Sequence, residues 1–262
     1  MAIIGVSGKI GSGKDTIGRI IQYLTADIQY KIPFKIMDAD ETMIDRWDYL
    51  GNWKTKKFAD KLKECASIIT GIPKKDLEKE EVKNSYLDYR WNKVDLIAIM
   101  AYDKDNPICN EKDYIVNKMT VRKFLQLFGT EVGRQIHPDT WVNTLFNDYK
   151  LVSVQAAIIN YSNDNVQLIG SPYVTEFPKW IITDVRFLNE YDAIKKRGGI
   201  IIRVNSNFID HVNKITRVDF ENDHLSETAL DNATFDYTID NNGTIEELVE
   251  KVKEILIKEK IL

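Results

Sequence analysis

The residues with the clearest chemical potential stand near the start of the chain. Gly8-Lys9-Ile10-Gly11-Ser12-Gly13-Lys14-Asp15-Thr16 meets the pattern Gly-x-x-x-x-Gly-Lys. Glycines at these places permit positive φ and let backbone N–H groups close around phosphate oxygens. A lysine at the end of the pattern reaches the β- and γ-phosphates of a nucleoside triphosphate. The expected nucleotide-binding residues are therefore Gly8, Gly11, Ser12, Gly13, Lys14, Asp15 and Thr16. The Ser or Thr that usually follows the lysine is Asp15 here, with Thr16 next. That hydroxyl normally ligates Mg²⁺. Asp15 would hold the metal's water shell, or Thr16 would supply the hydroxyl. A flexible glycine turn is the competing reading.

The flanking residues argue against a mere turn. Ala2 to Ser7 is a nearly continuous apolar run, which predicts a strand buried on both faces. Ile17, Ile20, Ile21 and Leu24 recur at helical spacing. Strand, glycine loop and helix in that order are the context a phosphate-binding loop needs. A second buried strand runs from Lys179 to Arg186 and a third from Gly199 to Asn205, with a helix over residues 187–197 between them. This βαβ unit predicts parallel strands. Phe235 to Asp240 reads as another strand. Thr244-Ile245-Glu246-Glu247 is a capping box opening a final amphipathic helix. Strands alternating with helices predict an α/β fold with a doubly wound parallel sheet.

Ligands of such sheets bind outside the carboxyl ends of the strands. Asp184 falls there and suits a Mg²⁺ water. Arg186 suits phosphate neutralisation; a local Asp184–Arg186 ion pair is the alternative. Asn241-Asn242-Gly243 follows the last strand, and the stretch from Asn241 through Asn242 to Gly243 either cradles the nucleotide base or only makes the turn before the last helix.

The middle of the chain is harder to read. Residues 26–54 show no period and are expected to be loops and a short strand. Lys54 to Lys63 is locally basic, and Phe58, Leu62, Cys65, Ala66 and Ile69 predict an amphipathic helix of about fifteen residues. Its lysines either make a solvated face or turn toward an anionic ligand. Arg90, between Tyr89 and Trp91, can pair with a planar or anionic ligand, or simply pack on Trp91. Thr120 begins a helix with Val121, Phe124, Leu125 and Phe128 on its buried stripe, Arg122 and Gln126 on the other face, and Gly129 placed to end it. Residues 151–170, around Asn163-Asp164-Asn165, predict a β-hairpin insertion.

Composition narrows the function classes. The chain has 262 residues, with 36 basic against 40 acidic side chains and a net charge of −4. That balance argues against a general nucleic-acid coat. No apolar run approaches the ~18–20 residues of a membrane span. Cys65 and Cys109 form neither a disulfide framework nor a zinc pattern. A soluble α/β domain in a reducing cytoplasm is expected, over residues 1–262.

Four stretches carry a resemblance. They are Gly8–Thr16 with its Gly-Lys-Asp-Thr ending, Phe58-Ala59 with Leu62-Lys63, Thr120-Val121-Arg122 with Phe128-Gly129-Thr130 and Trp141, and Asp223-His224-Leu225-Ser226-Glu227. The chain resembles P-loop nucleoside-monophosphate kinases, most closely the phage-type deoxynucleoside monophosphate kinases. The resemblance implies a core over 1–25, 120–150 and 179–262, a helical acceptor-binding insertion at about 54–119 and a hairpin insertion at about 151–178. It implies ATP and Mg²⁺ as cofactors and a nucleoside monophosphate as substrate, with no nucleic acid or membrane partner and homodimerisation left open. The setting would be the cytoplasm, the host's if the source is viral. Lys14 would bind the donor phosphates. Lys63, Arg90, Arg122, Gln126, Gly129, Thr130 and Trp141 would form the acceptor side. Arg122, Arg134 and Arg186 would join Lys14 in the catalytic set, with Arg186 or Arg134 bridging the transferring group. His224 and Glu227 would belong to a mobile lid, or cap a surface helix. The implied reaction is ATP-dependent phosphorylation of a deoxynucleoside 5′-monophosphate. A P-loop kinase acting on dephospho-coenzyme A or phosphomevalonate, and an ATP-binding switch or nucleic-acid-stimulated ATPase, are the alternatives.

Overall fold

The computed structural model describes residues 2–26, 34, 38, 52–95, 115–155, 159–162, 165–168, 173–207 and 228–262. Most of 30–54, Cys109, the Asn163-Asp164 turn and all of Asp223 to Glu227 lie outside the described residues. The strands are β1 (Ile3–Gly8), β2 (Trp53–Lys56), β3 (Lys93–Asp95), β4 (Ile115–Asn117), β5 (Val152–Gln155), β6 (Ile159–Ser162), β7 (Asn165–Leu168), β8 (Tyr173–Glu176), β9 (Lys179–Val185), β10 (Ile200–Asn205) and β11 (Tyr237–Asp240).

Five of them form one sheet in the order β11-β10-β1-β9-β2. Every neighbouring pair in it is parallel. The sequence explains why. Ile3, Ile4 and Val6 of β1, Ile181 and Ile182 of β9, and Ile201 and Ile202 of β10 have no exposed surface. Continuous apolar strands of this kind need cover on both faces, which parallel sheets with flanking helices provide. The expected α/β fold is what forms. β1 sits between β9 and β10, so the crossover through the Leu188–Lys195 helix passes over one strand.

The chain divides into two compact units. The first joins Met1–Phe58 to Val142–Leu262, and the second is Ala59–Trp141. In the first, the Lys14–Leu24 helix and the final Ile245–Lys258 helix pack Ile17, Ile20, Ile21, Leu248, Val252 and Leu256 against Ile4, Val6 and Ile202 of the sheet. The predicted capping box starts the final helix. Glu247 N–H donates to Thr244 Oγ1 at 3.2 Å, and Thr244 N–H donates to Glu247 Oε2 at 3.4 Å. β5 pairs with β8 and β6 with β7, both antiparallel, where a hairpin was expected.

The second unit has its own core of Ala66, Leu77, Leu87 and Val121, with Trp91, Phe124 and Leu125 packed on it. Two expectations change here. The helix runs only from Ala59 to Thr70, twelve residues rather than about fifteen, and leaves out Lys54, Lys56 and Lys57. Trp53–Lys56 is instead the edge strand β2, paired with Lys179–Ile182. Burial of Trp53, at 2% exposed, anchors a four-residue strand whose alternate positions are lysines. Ile69, expected on the buried stripe, is 45% exposed. The second change concerns Gly129. The helix opened by Thr120, whose hydroxyl accepts from Lys123 N–H, does not stop there. It continues through a π-helical stretch, Leu127–Val132, to Gly133–Ile136. Gly129 is a close-approach residue rather than a helix end: a Cβ there would lie 2.9 Å from Leu62 Cδ2.

No helix among the described residues is long and apolar enough to cross a membrane.

Candidate active site

β1 delivers the chain to Gly8, and the Lys14–Leu24 helix starts six residues later. The loop between them is drawn tight. Gly13 caps the helix at φ 95°, ψ 21°, a left-handed conformation that a side chain would strain. Its missing Cβ also leaves room for Asn241, whose Nδ2 would be 2.5 Å away. That amide donates to the Ser12 carbonyl at 3.0 Å. Lys14 Nζ folds back over the loop and donates to the Gly8 and Lys9 carbonyls at 2.7 and 2.6 Å. Ser12 is 3% exposed, and among the described residues its Oγ is the buried side-chain polar atom left without a hydrogen-bond partner. A helix N-terminus, a lysine held over the loop and an unsatisfied buried hydroxyl fit a polyphosphate.

The acidic groups at this end of the sheet are individually anchored. Asp15 Oδ1 accepts the Thr183 hydroxyl at 2.7 Å and faces Lys57 Nζ at 3.0 Å. Burial alone would raise the Asp15 pKa. Lys57, the Thr183 hydroxyl and Lys14 outweigh that and hold it below the ordinary aspartate value. Thr16 Oγ1 accepts from Arg19, which also pairs with Asp38. Asp184 Oδ1 accepts the Phe58 backbone N–H at 2.8 Å. The backbone N–H groups of Arg186 and Phe187 both donate to Glu190 Oε2, so a carboxylate only 3% exposed fixes the turn that carries Arg186. No cluster of three or more His, Cys, Asp or Glu poised for a metal occurs among the described residues. Mg²⁺ in nucleotide enzymes is usually held by one or two carboxylates with substrate phosphates and water, so Asp15, Thr16 and Asp184 are a donor set of the right kind.

The expected acceptor-side residues lie in the second unit, and their cations are neutralised there. Lys63 pairs with Glu78, and Arg122 with Glu80 and the Asn84 side-chain Oδ1. Arg90 grips Asp88 through two hydrogen bonds, at 2.9 and 2.6 Å, and pulls the Asp88 pKa down to about 2. Arg90 is 73% exposed and lines a shallow depression with Trp91, Ile69 and Thr70. Arg134 donates to the Pro138 carbonyl. Trp141 Nε1 donates to the Gly129 carbonyl at 2.7 Å. Trp91, Phe124, Phe128 and Trp141 make a chain of ring contacts at 5.2, 5.8 and 6.1 Å. Gln126 and Thr130 are half-buried along the same helix.

Of the Asn241-Asn242-Gly243 turn, it is Asn241 that reaches the loop. Asn242 Oδ1 accepts the Asn207 N–H, and Gly243 sits against the Glu247 side chain of the helix cap. Arg203 pairs with Ser7 of the adjacent strand β1, donating to its Oγ at 3.3 Å, and with Asp231. Lys57 and Thr183 hold Asp15. Neither they nor Arg203 were singled out by motif: Thr183 stands one residue before Asp184, the expected strand-end acid, and Lys57 was only one of the lysine run.

Comparison with known proteins identifies the family. A family model described as deoxynucleotide monophosphate kinase matches residues 2–252. The deoxynucleotide monophosphate kinase of Escherichia phage RB69 is 24% identical over 272 residues, covering 98% of this chain and 100% of the relative. With its parallel sheet, its glycine loop under Lys14 and this match over nearly its whole length, the chain belongs to the deoxynucleotide monophosphate kinase family and is an enzyme of nucleotide phosphoryl transfer.

Proposed function

We propose that the enzyme transfers the γ-phosphoryl group of ATP to a deoxynucleoside 5′-monophosphate, giving the diphosphate and ADP, as a cytoplasmic step of deoxynucleotide supply. The observation that carries this reading is the loop itself: Lys14 held over the Gly8 and Lys9 carbonyls, and a buried Ser12 hydroxyl without a partner. Gly8, Gly11, Ser12, Gly13 and Lys14 would wrap the donor phosphates, with Asn241 rather than Asn242 or Gly243 bracing the loop. Mg²⁺, when bound, neutralises charge on the donor's β- and γ-phosphates; Asp15, Thr16 and Asp184 are the residues that would hold it or its waters.

The acceptor phosphate is already an anion, so no strong general base is required. Catalysis is then positioning and charge neutralisation. Lys63, Arg90 and Arg122 would exchange their carboxylate partners for the acceptor phosphate. That exchange is favourable where a phosphate dianion offers more charge and more acceptor oxygens than the carboxylate it displaces. Trp141, Gln126, Gly129 and Thr130 would border the acceptor, and Arg134 or Arg186 would meet the transferring group.

Lys14→Ala tests the reading. It should lower kcat/KM by on the order of 10²–10³, as loss of one preorganised charge donor does, while the thermal melt stays close to wild type. Near-wild-type turnover in that variant would show that the loop does not hold the donor.

A further inference from the structure

Asp15 stands where such loops usually carry a neutral hydroxyl. The exchange lengthens the side chain by a second torsion and places a negative charge beside the expected phosphates. Two neighbours answer both problems. Thr183, 1% exposed, donates its hydroxyl to Asp15 Oδ1, and Lys57 approaches the same oxygen. The Asp15 side chain is nonetheless 57% exposed. Thr183 is itself set by the helix: Gly18, one turn after Asp15, approaches so closely that a Cβ would lie 2.7 Å from Thr183 Cγ2. Lys57 is set by the next residue, Phe58, whose N–H is held by Asp184.

We propose that Lys57 and Thr183 are positioning residues that clamp Asp15 through Oδ1 and so present Oδ2 to the water shell of the Mg²⁺ that accompanies the nucleotide. The proposal rests on the reading of Asp15 as a metal-facing group. Lys57 supplies, in addition, the positive charge that lets a carboxylate sit beside the phosphates. Neither residue touches the reacting atoms.

The test is calorimetric binding of ADP in Mg²⁺ and in EDTA, for wild type and for Asp15→Asn, Thr183→Val, Thr183→Ser, Lys57→Met and Lys57→Arg, each checked by thermal melt. The readout is the factor by which Mg²⁺ strengthens ADP binding. That factor should fall by about 10–100-fold in Asp15→Asn, Thr183→Val and Lys57→Met, the usual effect of removing a group that orients a metal's ligand. Thr183→Ser and Lys57→Arg keep the hydroxyl and the charge and should retain it. An unchanged factor in Thr183→Val and Lys57→Met, with Asp15→Asn impaired, would mean that the clamp is only structural and would overturn the proposal. Equal loss of ADP affinity with and without Mg²⁺ in Lys57→Met would place Lys57 on the phosphates themselves and also overturn it. An unchanged factor in Asp15→Asn would remove the metal-facing reading of Asp15, and the proposal with it.

Discussion

An aspartate directly after the loop lysine must stay ionised to be of use, and its surroundings see to that. Burial works against the charge, but Lys57, Thr183 and Lys14 favour it more strongly. A carboxyl whose pKa is lower in the folded than in the unfolded chain stabilises the fold above its unfolded value, and that contribution is lost as pH falls through the folded value. Wild type should therefore melt higher than Asp15→Asn at neutral pH. The gap should close as pH drops below the ordinary aspartate value of about 3.9. A gap that stays constant down to strong acid would show that Asp15 is not held this way. The loop residues were legible from spacing alone, because the phosphate-binding pattern is local: Gly8 to Lys14 is one uninterrupted stretch. Thr183 and Lys57 were not, because each acts on a residue far away in sequence. The turn from Asn241 to Gly243 stood out at its strand end, but nothing near it announces that the Asn241 amide reaches the Ser12 carbonyl.

At the scale of elements, the contact between the Lys14–Leu24 helix and β9 decides where the loop's helix sits. Gly18 is the residue that allows it. Gly18→Ala would gain up to about 1 kcal/mol in helix propensity but force a methyl onto Thr183, at a cost of about 1–3 kcal/mol for overpacking a filled site. The net effect should be a lower urea midpoint with an unchanged m-value. An unchanged or higher midpoint would mean that the helix and β9 have room to part. β1, β9, β10 and the final helix were readable because their apolar runs and the Thr244 cap are strong local signals. β2 was not, since its lysines at positions 54 and 56 belong to an edge strand that forms only by pairing with β9. The π-helical stretch at Leu127–Val132 was equally hidden. A glycine after an apolar stripe usually ends a helix, and only the approach of Leu62 shows why Gly129 is needed inside one.

Across the whole molecule, the expected donor-side residues, from the loop to Asp184, Arg186 and Asn241, belong to the first compact unit. Lys63, Arg90, Arg122 and Trp141 belong to the second. The net charge of −4 hides this arrangement, because the second unit balances each of those cations with a carboxylate of its own. Composition could exclude classes of protein but could not find those pairs. Family membership speaks for nucleotide phosphoryl transfer, and the identity of donor and acceptor is the central claim that follows. Its most direct test is ADP release from ATP, followed by a coupled assay across a panel of deoxynucleoside 5′-monophosphates, ribonucleotides, dephospho-coenzyme A and phosphomevalonate, with and without DNA. The account predicts ADP release that depends on a deoxynucleoside monophosphate, with the matching diphosphate formed in equal amount. ADP release only with a non-nucleotide acceptor, or DNA-stimulated ATP hydrolysis without any phosphorylated acceptor, would contradict it.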